Sequence, residues 1–482
     1  MFNLLKKREN IILVLILLAV VVFCFYNLTT RPRLWFDEGI NMEMAHNFLL
    51  FGKLDVFTAP SVFSGFPYAV GTNGYPLTIP LAAFYSSFGF GFFQTRILML
   101  CWIVAFLLSL FFVTKKVFGE AKALFTVALV STFAPFYGNG LTAFGEIPGF
   151  LFLLWGVYFL IREQPKYFLT GFLFALAAST KPSLYLLLFP SFVVFLLFVN
   201  RQSFFRKCFK FGLGAIVPIF VWLITIFPNV FSLEVWKSAM SFYKYPFGKD
   251  FSVWESFQAN IVSLFTHSTL VYFLLLTAFI IFWFLKKGKT NHFKKQWGVF
   301  FFVYGFFAFL YFLKSPGWLR YLMGFEIFVF MFVPSAVELI SKKIFKKNVL
   351  RKATFLCAMF GLVGLQTIQL FLFRSDFYSP YPEMTANFIN EQLSKNDTYM
   401  VGLLNAPGLS ALVPYEKKYH IIKVGGPTPA FGKNPLSFGK EKLPQLIAFE
   451  GWSIYVEEYK DVLDENYSLL EQFGAYSVYE IK

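Results

Sequence analysis

Long apolar runs alternate with short basic ones along most of this chain. Eleven apolar segments recur, at about 11–26, 97–114, 123–137, 146–161, 167–180, 184–200, 211–228, 268–285, 297–313, 322–340 and 353–373. A helix of about 20 apolar residues crosses a bilayer, so the pattern predicts an all-α polytopic membrane protein of about 11 transmembrane helices. Three stretches interrupt it: a first loop at 27–95, a second at 229–267, and a tail at 374–482. The tail mixes a helix-like run (383–393) with strand-like runs (399–404, 420–424, 476–481), separated by turn residues such as Gly425-Gly426-Pro427. That mixture predicts a small C-terminal α/β domain. The expected division is therefore a transmembrane domain over 1–373 and an extracytoplasmic domain over 374–482.

Charge orients the spans. With the N-terminus in the cytoplasm, every second loop is expected to be rich in Lys and Arg. Those loops hold 23 of the 43 basic residues, and the only acids there are Glu9, Glu120 and Glu163. The parity holds at every loop, placing 27–95, 229–267 and the tail outside. The formal charge of +16 thus follows from topology, and no nucleic-acid partner is expected. Only 15% of residues are charged, against about 25% in a soluble domain. The absence of soluble modules points to a multi-pass protein of a prokaryotic plasma membrane. The cysteines (Cys24, Cys101, Cys208, Cys357) and the histidines (His46, His267, His292, His420) share no metal-ligand spacing.

Ionisable residues at span ends are costly, about 2.5–3.5 kcal/mol each at full depth, and tend to mark function. On the outer face these are Asp37 and Glu38 in Trp35-Phe36-Asp37-Glu38-Gly39, Glu146 in Gly145-Glu146-Ile147-Pro148, Lys181 in Thr180-Lys181-Pro182, and Arg320-Tyr321. Each has a plainer reading: acids charge helix N-termini, and Lys or Arg snorkels to headgroups. Together they resemble two halves of one reaction. A carboxylate can take a proton from an acceptor hydroxyl, and fixed cations can hold a leaving phosphate. Glu43 and Asp55 read as solvated, and Glu326 as a buried carboxylate one turn inside the tenth span. Tyr243-Lys244-Tyr245 and Lys249 read as an exposed loop that could meet a headgroup or sugar.

The order of these motifs resembles the GT-C glycosyltransferases that use polyprenyl-phosphate sugars, the group that includes protein O-mannosyltransferases and aminoarabinose transferases. The resemblance also draws on the helix ending at Phe51-Gly52-Lys53 and on Asn73-Gly74-Tyr75-Pro76-Leu77, where relatives carry Lys-Pro-Pro or His-Pro-Pro. It implies a GT-C-like fold and transfer of a sugar, with inversion, to a protein, glycolipid or cell-wall glycan acceptor on the outer face. It further implies Asp37 as catalytic carboxylate, Glu38 and Glu146 as its acidic companions, and Lys181 and Arg320, with Tyr321 beside them, as the donor-phosphate site. No dedicated metal ligands are evident, although some branches use a divalent metal. The competing readings are a lipid-linked sugar flippase, which would carry charges at mid-span or broken helices in matching halves, and a polysaccharide polymerase or ligase with Arg-rich outer loops.

Overall fold

The computed structural model describes residues 2–26, 28–59, 62–199, 201–227, 229–244, 252–286, 292–372, 379–404, 406–421, 443–451 and 463–482. Its membrane portion is a helical bundle, as a hydrocarbon solvent requires of chains whose backbone groups must bond internally. Among the described residues six helices are long and apolar enough to cross alone: Phe92–Phe118, Pro182–Val199, Phe204–Ile226, Lys295–Lys314, Met323–Ile344 and Asn348–Leu372. Pro182–Val199 comprises a short turn of helix, Pro182–Tyr185, followed by Leu188–Val199. Two bent pairs bring the number to eight: Glu120–Ser131 with Ala134–Gly140, bent by 68°, and Val253–Thr266 with Ser268–Phe282, bent by 78°. Asn10–Phe25, Glu146–Leu160 and Tyr167–Thr180 are apolar but shorter.

Each of the eleven expected segments coincides with one of these helices or pairs. The segments differ in how deeply they are buried among their neighbours. Helix Met323–Ile344 lies at the centre, with 83% of its apolar window buried, and Asn348–Leu372 lies at the edge, with 17% buried. Aromatic rings fill the centre: Phe301 packs 4.7 Å from Phe325 and 5.0 Å from Phe332, centroid to centroid. Helices Tyr167–Thr180 and Phe204–Ile226 approach most closely, through glycines. A Cβ on Gly171 would lie 1.9 Å from the Phe211 carbonyl oxygen, and one on Gly214 would lie 1.9 Å from that of Phe168.

The first loop is structured. Helix Phe36–Phe51, the first-loop helix, is stopped by Gly52 at φ +67°. A two-stranded ribbon follows, β1 (Phe57–Ala59) antiparallel to β2 (Val62–Phe63), and then helix Tyr75–Phe88. Glu43 and Asp55, expected to be solvated, are instead 1% and 5% exposed. The second loop contributes helices Leu233–Lys244 and Val253–Thr266. Tyr245 and Lys249 of the expected headgroup loop lie outside the described residues.

The small C-terminal strand-containing domain begins, after undescribed residues 373–378, with helix Tyr381–Lys395. Its sheet comprises β3 (Val401–Leu404), β4 (Lys418–Ile421), β5 (Leu446–Glu450), β6 (Tyr467–Phe473) and β7 (Tyr476–Ile481). The order is β4-β3-β5-β7-β6. Strands β4 and β5 run parallel to β3, and β7 runs antiparallel to β5 and β6. The 399–404, 420–424 and 476–481 runs find β3, β4 and β7 at these bounds. The part of 420–424 beyond Ile421, and the Gly425–Pro427 turn, lie outside the described residues. Helix Tyr381–Lys395 covers one face through Ala386, Ile389 and Leu393, and Leu404, Tyr419, Ile447 and Phe449 form a second cluster.

The close glycine contacts meet backbone oxygens, which cannot turn aside. Gly171→Leu should therefore destabilise the bundle by about 1–3 kcal/mol, the usual effect of overpacking, read as a lower thermal unfolding midpoint in detergent. An unchanged midpoint would mean that these helices do not meet at Gly171.

Candidate active site

Asp37 sits in the first turn of the first-loop helix, where the unpaired N–H groups and the helix dipole favour negative charge. Trp35 enters that helix in an extended conformation (φ −113°, ψ 151°) and packs edge-on against Phe144 at 6.5 Å. Arg320 belongs to a single 3₁₀ turn, Leu319–Tyr321, between the helices ending at Lys314 and beginning at Met323. Its Nη1 donates to Asp37 Oδ2 at 3.2 Å, and each side chain remains 12% exposed. The guanidinium lies over aromatic rings, 4.4 Å from that of Trp318 and 5.4 Å from that of Phe144. Tyr321 is 5% exposed, with its ring 5.0 Å from that of Tyr311.

Glu146 starts helix Glu146–Leu160 and is fully buried. Neither of its carboxylate oxygens is hydrogen-bonded to another side chain among the described residues. The charges of Lys181 and Arg320 both attract it, and that of Asp37 repels it. Lys181, at the end of helix Tyr167–Thr180, is 2% exposed, with its ammonium 5.9 Å from the Phe144 ring. Phe144 is thus shared by both cations. It is presented by a turn in which Gly145 takes φ +80°, a conformation open to few L side chains. The Tyr185 hydroxyl fixes the turn from below by donating to the Glu146 carbonyl at 2.5 Å.

Glu38 is placed differently. Its side chain is fully buried and accepts from Arg96 Nη2 at 2.7 Å. Arg96 also donates to the Pro32 carbonyl at 3.1 Å, and Ala143 N–H reaches Glu38 Oε1 at 3.4 Å. The Ala143 carbonyl accepts from the amides of both Asn41 and Asn73 at 2.8 Å. The structure therefore brings Asp37, Glu146, Lys181, Arg320 and Tyr321 into one cluster, called the mouth below for its part-exposed Asp37–Arg320 pair, and holds Glu38 apart on Arg96. Arg96 and Asn41 were missed from sequence, and Asn73 entered only as part of the Asn73-Gly74-Tyr75-Pro76-Leu77 motif, without this role. A single Arg at the edge of an apolar run was the one available signal for Arg96.

Beyond this cluster, the C-terminal domain grips the first-loop helix. His420 Nε2 lies 2.7 Å and Lys418 Nζ 3.4 Å from Glu43 Oε2, and all three side chains are at most 1% exposed. Lys418 also donates to the Ser410 carbonyl, Ser410 Oγ donates to the Gly39 carbonyl at 3.1 Å, and the Tyr415 hydroxyl donates to Asn47. Burial alone would raise the Glu43 carboxyl, but the charges of His420 and Lys418 and their hydrogen bonds prevail and hold it down at about 2. Asp55 is buried as a loop staple, accepting from Val56 N–H and Gly65 N–H at 2.8 Å and from the Ser64 hydroxyl. Glu326 is 1% exposed, and its oxygens have no hydrogen-bond partner among the described residues. Among those residues, no three His, Cys, Asp or Glu side chains converge as a metal site would require.

A family model described as dolichyl-phosphate-mannose-protein mannosyltransferase matches residues 78–231. Among solved structures, ArnT from Cupriavidus metallidurans bound to undecaprenyl phosphate is similar over 97% of each chain, at 13% identity and a TM-score of 0.62. The Archaeoglobus fulgidus oligosaccharyltransferase in complex with Zn and sulfate is similar over 98% of this chain and 73% of its own, at 13% identity and a TM-score of 0.56. The arabinofuranosyltransferase AftD from Mycobacteria is similar over 98% of this chain and 41% of its own, at 12% identity and a TM-score of 0.52. No curated protein matches the chain. The architecture is that of a multi-pass membrane protein, and its fold is the GT-C fold of membrane glycosyltransferases.

The depressed Glu43 carboxyl fixes a pH dependence. Its contribution to docking is complete above the ordinary carboxyl value of about 4.3 and is lost as pH falls towards about 2. Amide exchange in β4, corrected for intrinsic rate, should accelerate over that window in wild type. In Glu43→Gln it should already be fast at neutral pH, because breaking a buried pair costs about 3–5 kcal/mol. Equal protection of β4 in both proteins would show that the triad does not hold the domain.

Proposed function

We propose that the chain is an inverting glycosyltransferase that moves a sugar from a polyprenyl-phosphate-linked donor to an acceptor on the extracytoplasmic face. The observation that carries this reading is the partly exposed Asp37–Arg320 pair beside buried Glu146 and Lys181. It joins a carboxylate at a helix start to two cations, as proton abstraction and phosphate departure together demand.

In this reading Arg320 has two partners in turn. Without donor it neutralises Asp37. A donor phosphate engages the guanidinium and Lys181, and Arg320 then gives up part of its hold on Asp37. The Asp37 carboxylate takes the proton of the acceptor hydroxyl as that oxygen attacks the anomeric carbon from the side opposite the phosphate. The new C–O bond forms, the anomeric carbon–oxygen bond to phosphate breaks, and polyprenyl phosphate leaves with its electron pair, its charge held by Arg320 and Lys181. Configuration inverts in one displacement, and no sugar-enzyme bond is made. Tyr321 backs the guanidinium. Glu146 holds the two cations at the mouth, and Glu38, through Arg96, positions the turn that carries Asp37.

Purified protein in liposomes, given radiolabelled polyprenyl-phosphate sugars and an extract of acceptors, tests this. Wild type should transfer label, and Asp37→Asn should lose at least about 10²–10⁴-fold in rate, the scale of a general base. Label that crosses the bilayer chemically unchanged, equally with both proteins, would identify a flippase. Arg320→Ala should raise the donor concentration needed for half-maximal rate by about tenfold or more, given that hydrogen bonds to charged groups contribute about 1.5–3 kcal/mol. An unchanged donor dependence would remove Arg320 from the phosphate site.

A further inference from the structure

The far end of the bundle carries a second feature, separate from the mouth. Arg96 and Lys115 lie nineteen residues apart on helix Phe92–Phe118. At 1.5 Å per residue that is about 29 Å, nearly the thickness of the hydrocarbon core. Near Lys115 lies a half-open cleft of about 520 Å³, lined by Phe112, Val113, Lys115, Lys116, Trp155 and Tyr158.

The cleft has an apolar floor and a cationic rim. Phe112, Val113 and Trp155 form the floor, and the indole N–H of Trp155 is turned inward to donate to Ser109 Oγ at 3.1 Å. Tyr158 stands edge-on to Trp155 at 5.6 Å, and the Arg162 guanidinium, which is not itself part of the lining, lies 5.8 Å from the Tyr158 ring. Lys115 is bonded to Glu120. Lys116 is exposed and has no ion pair among the described residues. The remaining acid on this rim, Glu163, is exposed beside Arg162. Basic and aromatic residues decorate membrane interfaces generally, because Lys snorkels and Trp and Tyr prefer headgroup depth. Neither habit requires a cavity. Here a half-open cleft with apolar walls lies beside the charges.

We infer that this cleft binds one anionic phospholipid, its phosphate held by Lys116 and Arg162 and an acyl chain laid against Phe112, Val113 and Trp155. Charge complementarity selects the occupant, as at other basic pockets between membrane helices. A free phosphate would leave the apolar floor uncovered, and a zwitterionic lipid would bring no net charge to the rim. The inference does not depend on the reaction catalysed at the opposite end.

The test uses the full-length protein in phosphatidylcholine nanodiscs doped with phosphatidylglycerol, with retained lipid counted by native mass spectrometry. Wild type should keep one phosphatidylglycerol per chain. The Lys116→Gln, Arg162→Gln double variant should need about tenfold more for equal retention, the scale of two surface cations facing an anionic lipid. Lys346→Gln with Lys347→Gln removes two exposed charges elsewhere and should change nothing. All four are surface substitutions, so the folded protein should survive. Equal loss in both double variants would mean diffuse attraction and overturn the site, as would equal retention of phosphatidylcholine. Displacement of the lipid by millimolar inorganic phosphate would also overturn it, by showing a simple anion site.

Discussion

A carboxylate and a guanidinium, both sealed from solvent and 2.7 Å apart, tie the first loop to the bundle. Neither Glu38 nor Arg96 could stand alone there, since an unpaired buried charge is penalised by several kcal/mol. The pair therefore admits one arrangement of the two segments it joins. It sets the start of the first-loop helix against the Ala143 turn, whose amide also reaches Glu38 and whose carbonyl is held by Asn41 and Asn73. Asp37 precedes Glu38, and Phe144 and Glu146 follow Ala143 closely. A contact made apart from the mouth thus dictates which groups meet within it.

Within the mouth, two acids and two cations surround one aromatic ring. The ring lets Arg320 and Lys181 share a neighbour with a negative π face, which partly offsets their repulsion. The cluster pairs two acids with two bases, one of each part-exposed and one of each buried. A ligand with a net negative charge would shift that balance, and Asp37–Arg320, the part-exposed pair, is the contact best placed to yield.

Much of this was legible in sequence, and what escaped shares a cause. The motifs around Asp37, Glu146, Lys181 and Arg320 lie at ends of apolar runs, and run length with loop charge assigns ends to faces. The first-loop helix was anticipated as well, through the resemblance that places its end at Phe51-Gly52-Lys53. Burial of Glu43 was not, because it depends on a strand nearly four hundred residues later that covers the polar side of that helix. Arg96 escaped because a lone cation beside an apolar run looks like an interfacial anchor until its carboxylate is known. Strand β5 escaped for a related reason. Leu446-Ile447-Ala448-Phe449 is a continuous apolar run, and only its place between β3 and β7 makes it a strand.

The ion pairs of the first loop also carry a schedule. Glu38 meets a partner 58 residues downstream, Asp37 one 283 residues on, and Glu43 one 377 residues on. At about 5–20 residues per second, the ribosome delivers Arg96 within roughly 3–12 s of Glu38, whereas His420 follows Glu43 by about 20–75 s. The nascent chain therefore anchors its loop early and waits, with Asp37 and Glu43 still hydrated, until the last spans and the tail are made. The docking of the tail comes last, so a chain truncated before it would emerge with its Asp37–Arg320 pair formed and Glu43 uncovered.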